Sequence, residues 1–374
     1  MFPERQLTSD DSSAIGNFLA VDPQRPFVVE LMEAPAGAMA LAALEADALR
    51  TEDLLDLELV EPTASGVARA ADQVRDVDFY NLMQVAVRVT AQMAGSYESE
   101  APRRVARALR DAPARLPIAE AIAARFRVDL HEPLRRPGQH WWWMYNLASW
   151  SDVEPIGQHP GAHPAWLTAP INWFFTSNPG PERLLEAFGI AWDQSSHDVT
   201  RWSLNVDSGA RIYEIHRPED WQALVTAHPC EARTWYEGWQ IASNDPEDQS
   251  ASDELRGLLQ QRAARWGVRR FIEADWAAVA QDWDAVHLSW AGFLTTEGTA
   301  CDLGDGDVTM LLGWGSERTL WLNPVLSDPQ PVDPDPDFLA GDGELDRSID
   351  LRSDPDRFRE QLSFLSARLG CSNP

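Results

Sequence analysis

All seventeen tryptophans of this 374-residue chain lie between Trp141 and Trp321. Indole is a large apolar group whose N–H wants a partner once buried, so a region that uses it freely builds a different core from one that never does. The step predicts two modules meeting near residue 135, where L-R-R-P-G-Q-H interrupts the pattern with Pro137 and Gly138. The chain is long enough for two domains of ordinary size. The division expected is 1–135, 136–326, and a Pro/Asp-rich strap with a terminal helix over 327–374.

The first module reads as mainly helical. Ala38–Arg50 is rich in Ala and Leu, Thr63–Tyr80 and Asn81–Met93 carry apolar residues at helical spacing, and Pro102–Leu109 and Ile118–Phe126 are shorter amphipathic pieces. Phe27–Leu31 and Leu55–Val60 read as strands. Nothing in this module has the pattern of a catalytic site, and docking on a partner or on the second module is the role expected of it.

The second module alternates short strands with brief helices, an α+β pattern of mostly antiparallel neighbours. Trp202–Val206 and Arg211–Ile215 read as a pair across an Asp207-Ser-Gly turn. A helix begins at Arg217-Pro, with Trp221, Leu224 and Val225 on its inner face. Ser252–Trp266 and the segment after Asp275 read as helices, and Asp284–Trp290 as a strand. In the last segment Phe358, Leu362, Leu365 and Leu369 form one helical stripe.

Composition removes several chemistries. The formal net charge is −28, and all 31 basic residues are arginine. Without lysine there is no P-loop lysine, Schiff base or lysine general base. No part of the chain is basic, which argues against nonspecific nucleic-acid binding. Cys230, Cys301 and Cys371 are widely spaced, which suits a reducing compartment. No signal-peptide pattern and no uncharged apolar run of spanning length is present, so a soluble, cytoplasmic protein with no membrane partner is expected. No G-x-G-x-x-G follows a strand, which argues against a Rossmann domain.

Val308 to Asn323, V-T-M-L-L-G-W-G-S-E-R-T-L-W-L-N, draws most attention. Two apolar runs flank a Gly-Trp-Gly-Ser turn and read as a hairpin or two neighbouring strands. Glu317 stands at the lip of the second run, between Trp314 and Trp321. Upstream, W-F-F-T-S (173–177) ends a strand in Thr-Ser, followed by R-I-Y-E-I-H-R-P-E-D-W and D-A-V-H-L-S-W.

Over roughly residues 140–323 this layout resembles the ADP-ribosyltransferase superfamily. The resemblance implies a split, mostly antiparallel sheet with a cleft for NAD as substrate. It implies that Thr176 and Ser177 frame the nicotinamide end and that Glu317 is the catalytic acid at the ribose. The first-strand motif departs from the family: W-W-M-Y-N-L-A-S places Tyr145 and Asn146, or else His140, where Arg or His is usual. Trp173, Phe175 or Trp314 would offer an aromatic face to cationic nicotinamide, and Arg211 or Arg318 would pair the pyrophosphate. The acceptor implied is an unknown protein or small molecule, or water in a NAD glycohydrolase; a catalytically degenerate binding module of the same fold is the alternative. Bland roles stand beside each assignment. Thr176-Ser177 with Asn178-Pro-Gly can simply start a turn, Arg211 can pair an acid at a strand edge, and His287 can be a satisfied, half-buried histidine. His159 and His163 have ligand spacing, but Pro160 and Gly161 disfavour a helix face for zinc there.

Overall fold

In a computed structural model of the chain, the residues described are 26–46, 61–95, 101–143, 175–180, 200–231, 269–311, 314–323 and 325–332. The expected strand Leu55–Val60, the helix over Ser252–Trp266 and the C-terminal stripe lie outside them.

The N-terminal part is helical. It comprises α1 (Phe27–Glu33), α2 (Pro35–Glu45), α3 (Ala64–Asp76), α4 (Phe79–Gly95), α5 (Ala101–Asp111), a 3-10 turn (Ala112–Arg115) and α6 (Leu116–Leu130). Local chemistry sets several of these boundaries. The Thr63 hydroxyl caps α3 by accepting from Gly66 N at 3.0 Å, and Pro35 begins α2 in the first turn, where no N–H is needed. Phe27–Leu31 is helical, a correction to the strand expected from F-V-V-E-L. Leu31 is wholly buried and the segment is packed on neighbouring helices, so tertiary burial outweighs the modest strand preference of two valines. No single helix among the described residues is long and apolar enough to cross a membrane. The α1–α2 pair is apolar enough together but bends by 86°, and α2 is buried along nearly its whole length.

The remainder forms two sheets with short helices. In chain order these are β1 (Gln139–Trp143), β2 (Phe175–Ser177), β3 (Thr200–Val206), β4 (Ile212–Ile215), α7 (Pro218–Ala227), β5 (Pro229–Glu231), β6 (Arg270–Ala274), α8 (Trp276–Asp282), β7 (Ala285–Leu288), α9 (Trp290–Thr296), β8 (Ala300–Gly304), β9 (Asp307–Met310), β10 (Arg318–Trp321) and β11 (Leu326–Pro331). The larger sheet runs β11-β3-β1-β2-β10-β7-β4 and the smaller β5-β6-β9-β8. Neighbours are antiparallel except β4 with β7 and β6 with β9. The architecture is therefore α+β with antiparallel-rich sheets.

Two expected pairings are corrected. β3 and β4 do not form a hairpin across Asp207: β3 joins β1 and β11, while β4 lies at the opposite edge beside β7. Likewise β9 and β10 belong to different sheets, and β9 pairs instead with β8 across Asp305-Gly306. A turn sequence permits reversal but does not select the partner, which depends on the apolar surface each strand can bury.

The larger sheet is covered on both faces. Ile215, Val286, Leu288 and Leu320 point to one side and join a single apolar cluster with Leu31, Leu41, Val85, Ile122 and Phe293. Residues before and after position 135 thus share a core. At its centre is α9, all seven of whose residues are buried. So short a helix would not persist alone, and its formation rests on this packing. The elements meet at almost backbone contact: a Cβ on Gly292 would lie 2.2 Å from Ile215 O, and one on Gly37 2.9 Å from Leu294 O. On the opposite face Ala285 and Trp321 pack with Leu134, Val206 and Ala210 under the segment that leads into β1. Trp321 and Trp314 are buried, each removing surface worth roughly 4–6 kcal/mol as an upper bound.

Candidate functional site

Strand register brings the polar residues of this second face together. Thr319 of β10 lies opposite Thr176 of β2 on one side and His287 of β7 on the other. His287 in turn lies beside Glu214 of β4. Side chains two apart on a strand share a face, so Glu317, two residues before Thr319, projects toward His287. Gly315 has φ 73°, a left-handed conformation that suits glycine in the turn delivering the chain to Glu317.

The outcome is a chain of three ionisable groups in which His287 and Glu317 are buried and Glu214 is partly exposed. His287 Nε2 lies 3.0 Å from Glu317 Oε1, and Nδ1 lies 2.5 Å from Glu214 Oε2. His287 has no exposed surface and Glu317 retains 3%. Asn178 N donates to both Glu317 oxygens, at 3.0 and 3.3 Å, and Leu134 N donates to Glu214 Oε1 at 3.1 Å. Burial alone would depress the basicity of His287, but the hydrogen bonds to Glu214 and Glu317 overcome it and raise its pKa to about 9. Burial would push Glu214 up, yet its bond with His287 holds it below the usual carboxylate value. With carboxylate oxygens facing both ring nitrogens, both nitrogens donate, and only the imidazolium does that. The unit is two carboxylates and one cation, a net negative charge where β10 begins.

Neighbouring groups tie this unit to the rest of the fold. His216, just past β4, bonds the Ser289 hydroxyl through Nδ1 at 2.9 Å; burial lowers its pKa and nearby Glu214 opposes that. Ser289 also caps α9 by accepting from Gly292 N at 3.1 Å. On the other side Asn178 Oδ1 accepts from Arg135 N and Gln139 Nε2, at 2.8 and 2.7 Å. The helical region reaches the same place. Tyr80 of α4 donates from its hydroxyl to Pro179 O at 3.3 Å; burial raises its phenol, Arg135 opposes, and Glu132 and Glu317 add to the rise.

The residues expected at the site divide clearly. Glu317 and Ser177 are adjacent, with the half-buried Ser177 hydroxyl 3.3 Å from the Glu317 carbonyl oxygen as donor. His140 lies across from Ser177 on β1. Thr176 is buried and holds neighbours in place: it donates to Gln139 Oε1 at 2.6 Å and accepts from Trp321 Nε1 at 2.7 Å. Trp314 is wholly buried in the core, so it presents no free face to nicotinamide, a correction to that expectation. Arg211 pairs with Asp284 at the start of β7, whereas Glu317 adjoins that strand's far end; it is therefore a strand-edge ion pair and not a pyrophosphate ligand beside Glu317. Arg318 is buried, and burial lowers its pKa against the opposing pull of Glu297 and Glu317. Phe175 lies in β2; Tyr145, Asn146 and Trp173 fall outside the described residues, as do His159 and His163.

Sequence reasoning missed Glu214 and the role of Asn178, and it gave His287 only a bland part. Polar residues inside apolar strands, E in R-I-Y-E-I and H in D-A-V-H-L, were the available signal, since a buried charge needs a partner. Among the described residues no group of three or more His, Cys, Asp or Glu could hold a metal ion. No family model, curated protein or solved structure matches the chain.

Proposed function

We propose that this chain is an ADP-ribosyltransferase-like enzyme that cleaves the nicotinamide–ribose bond of NAD, with Glu317 as its catalytic carboxylate. The observation that carries the reading is the adjacency of three strands. β1 bears His140, β2 ends in Thr176-Ser177, and β10 begins just after Glu317; the strands lie side by side in the order β1-β2-β10, with Thr176 on the Glu317 face of the sheet and His140 and Ser177 on the other. This adjacency supports the reading in which a first strand holds the nucleotide, a second frames the nicotinamide end and a later one brings the glutamate to the ribose.

The chemistry follows from charge. As the C1′–N bond breaks, its electron pair leaves with nicotinamide and the ribose becomes oxocarbenium-like. A fixed carboxylate stabilises that developing cation more strongly in a poorly hydrated site than in water. The acceptor, a protein or small-molecule nucleophile, then bonds C1′ and loses its proton; with water as acceptor the outcome is NAD hydrolysis. The Ser177 hydroxyl donates to the Glu317 carbonyl oxygen at 3.3 Å and so ties the end of β2 to the residue that precedes β10. The net negative unit at the mouth of β10 favours the cationic end of the substrate over its pyrophosphate.

A second reading is a binding module of the same fold without turnover. It is favoured by the engagement of both Glu317 oxygens with protein donors. Nicotinamide release from NAD by the purified chain and by Glu317→Gln separates the two. The enzyme reading expects release that the substitution reduces by on the order of 10²-fold or more. No release from the wild-type chain, with NAD still raising its melting temperature, would favour the module instead.

A further inference from the structure

We propose that His287 and Glu214 form a positioning pair for Glu317: the ring, fixed by Glu214 behind it, holds one Glu317 oxygen in place and leaves the other with only its longer contact to Asn178 N. The inference rests on the reading of Glu317 as catalytic, and adds residues that no sequence motif marked.

The geometry is directional. Nε2 of His287 meets Oε1 of Glu317 at 3.0 Å, and that oxygen also accepts from Asn178 N at 3.0 Å. Oε2 has the longer contact, 3.3 Å to the same N–H, so it keeps the greater share of its lone-pair capacity. Behind the ring, Glu214 is itself held by Leu134 N. Its place in the parallel β4–β7 register, Glu214 opposite His287, is dictated by the sheet. The imidazole cannot rotate away, because it is buried and bonded at both nitrogens. A ring clamped in this way fixes the orientation of the acid it touches, as the outer partners of a catalytic group do in general.

The charged and titratable groups around the pair come from several elements. Glu214 lies on β4, His216 just beyond it, and Glu317 at the entry to β10. Arg318 and Tyr80 interact electrostatically with Glu317 from β10 and α4. Loss of the proton from His287 would leave Glu214 and Glu317 facing a neutral ring with one donor for two acceptors. Positioning should then fail as pH rises through about 9.

The test compares the full chain with His287→Gln, Glu214→Gln and Glu317→Gln, measuring kcat and KM for nicotinamide release across pH alongside nitrogen NMR of the histidine rings. Positioning predicts a fall in kcat on the order of 10²-fold in the His287 and Glu214 variants with KM little changed. It also predicts a wild-type alkaline limb near 9 that His287→Gln lacks. The partly exposed Glu214 keeps the comparison possible should His287→Gln not fold. Unchanged kcat in Glu214→Gln, or a neutral His287 ring at neutral pH in an active wild-type chain, overturns the inference and leaves the NAD reading standing. A wild-type chain that releases no nicotinamide, yet shows a doubly protonated His287 whose titration falls in Glu317→Gln, supports the clamp and removes only the NAD reading.

Discussion

The buried His287, held between Glu214 and Glu317, should make the stability of the fold fall on the alkaline side, by an amount the structure sets. In an unfolded chain His287 would titrate near 6.5, whereas in the fold it does so near 9. A group whose folded value lies above its unfolded one adds stability that is fully present below 6.5 and lost as pH rises through about 9. At ~1.4 kcal/mol for each tenfold change in proton affinity, that interval corresponds to about 3 kcal/mol. This is a large part of the 5–15 kcal/mol typical of folded domains. The perturbation is His287→Gln, which keeps polarity but cannot carry the proton. The assay is urea unfolding of both proteins at a series of pH values, followed by far-UV circular dichroism. The difference in unfolding free energy between wild type and variant should be greatest below 6.5 and shrink by about 3 kcal/mol above 9. A difference that stays constant over the range would refute the assignment of a charged, doubly bonded imidazole at this position.

Other consequences can be checked separately. At the acid end, Glu214 is held below the usual carboxylate value, so its contribution is present above 4.5 and disappears as pH falls through the depressed value; Glu214→Gln should flatten that acid limb. Arg115 and Glu45 form a buried ion pair at 2.8 Å, and Arg115→Met should cost about 3–5 kcal/mol in denaturant unfolding because it strands a buried carboxylate. Gly292→Ala should destabilise by about 1–3 kcal/mol in the same assay, since its Cβ would press on the backbone oxygen of Ile215. Arg211→Gln, in contrast, should leave nicotinamide release unchanged and scarcely move the urea midpoint, because it removes a solvent-exposed ion pair whose partner Asp284 lies at the end of β7 away from Glu317.

Local interactions could be read before any coordinates. The start of α3 was legible because Thr63 caps it, and that of α8 because Asp275 accepts from Ala278 N at 3.0 Å. The inner face of α7 followed from helical spacing, with Trp221, Leu224 and Val225 buried as expected. Each of these depends on groups within one or two turns of chain, so a short stretch of residue types suffices.

Pairing and partnership lay beyond that range. β3 and β4 are joined by a turn any reader would take for a hairpin, yet they occupy distant positions in the sheet. The helical identity of Phe27–Glu33 came from burial against α2, α6 and α9. The site shows the same divide. Glu317 could be picked out as an acid at a strand's entrance, but its histidine partner lies 30 residues away and that histidine's second glutamate another 73. Residue type determined that charges would need company once enclosed; which charges met was decided when seven strands chose their neighbours, because alignment across a sheet reflects the surface buried by every strand at once.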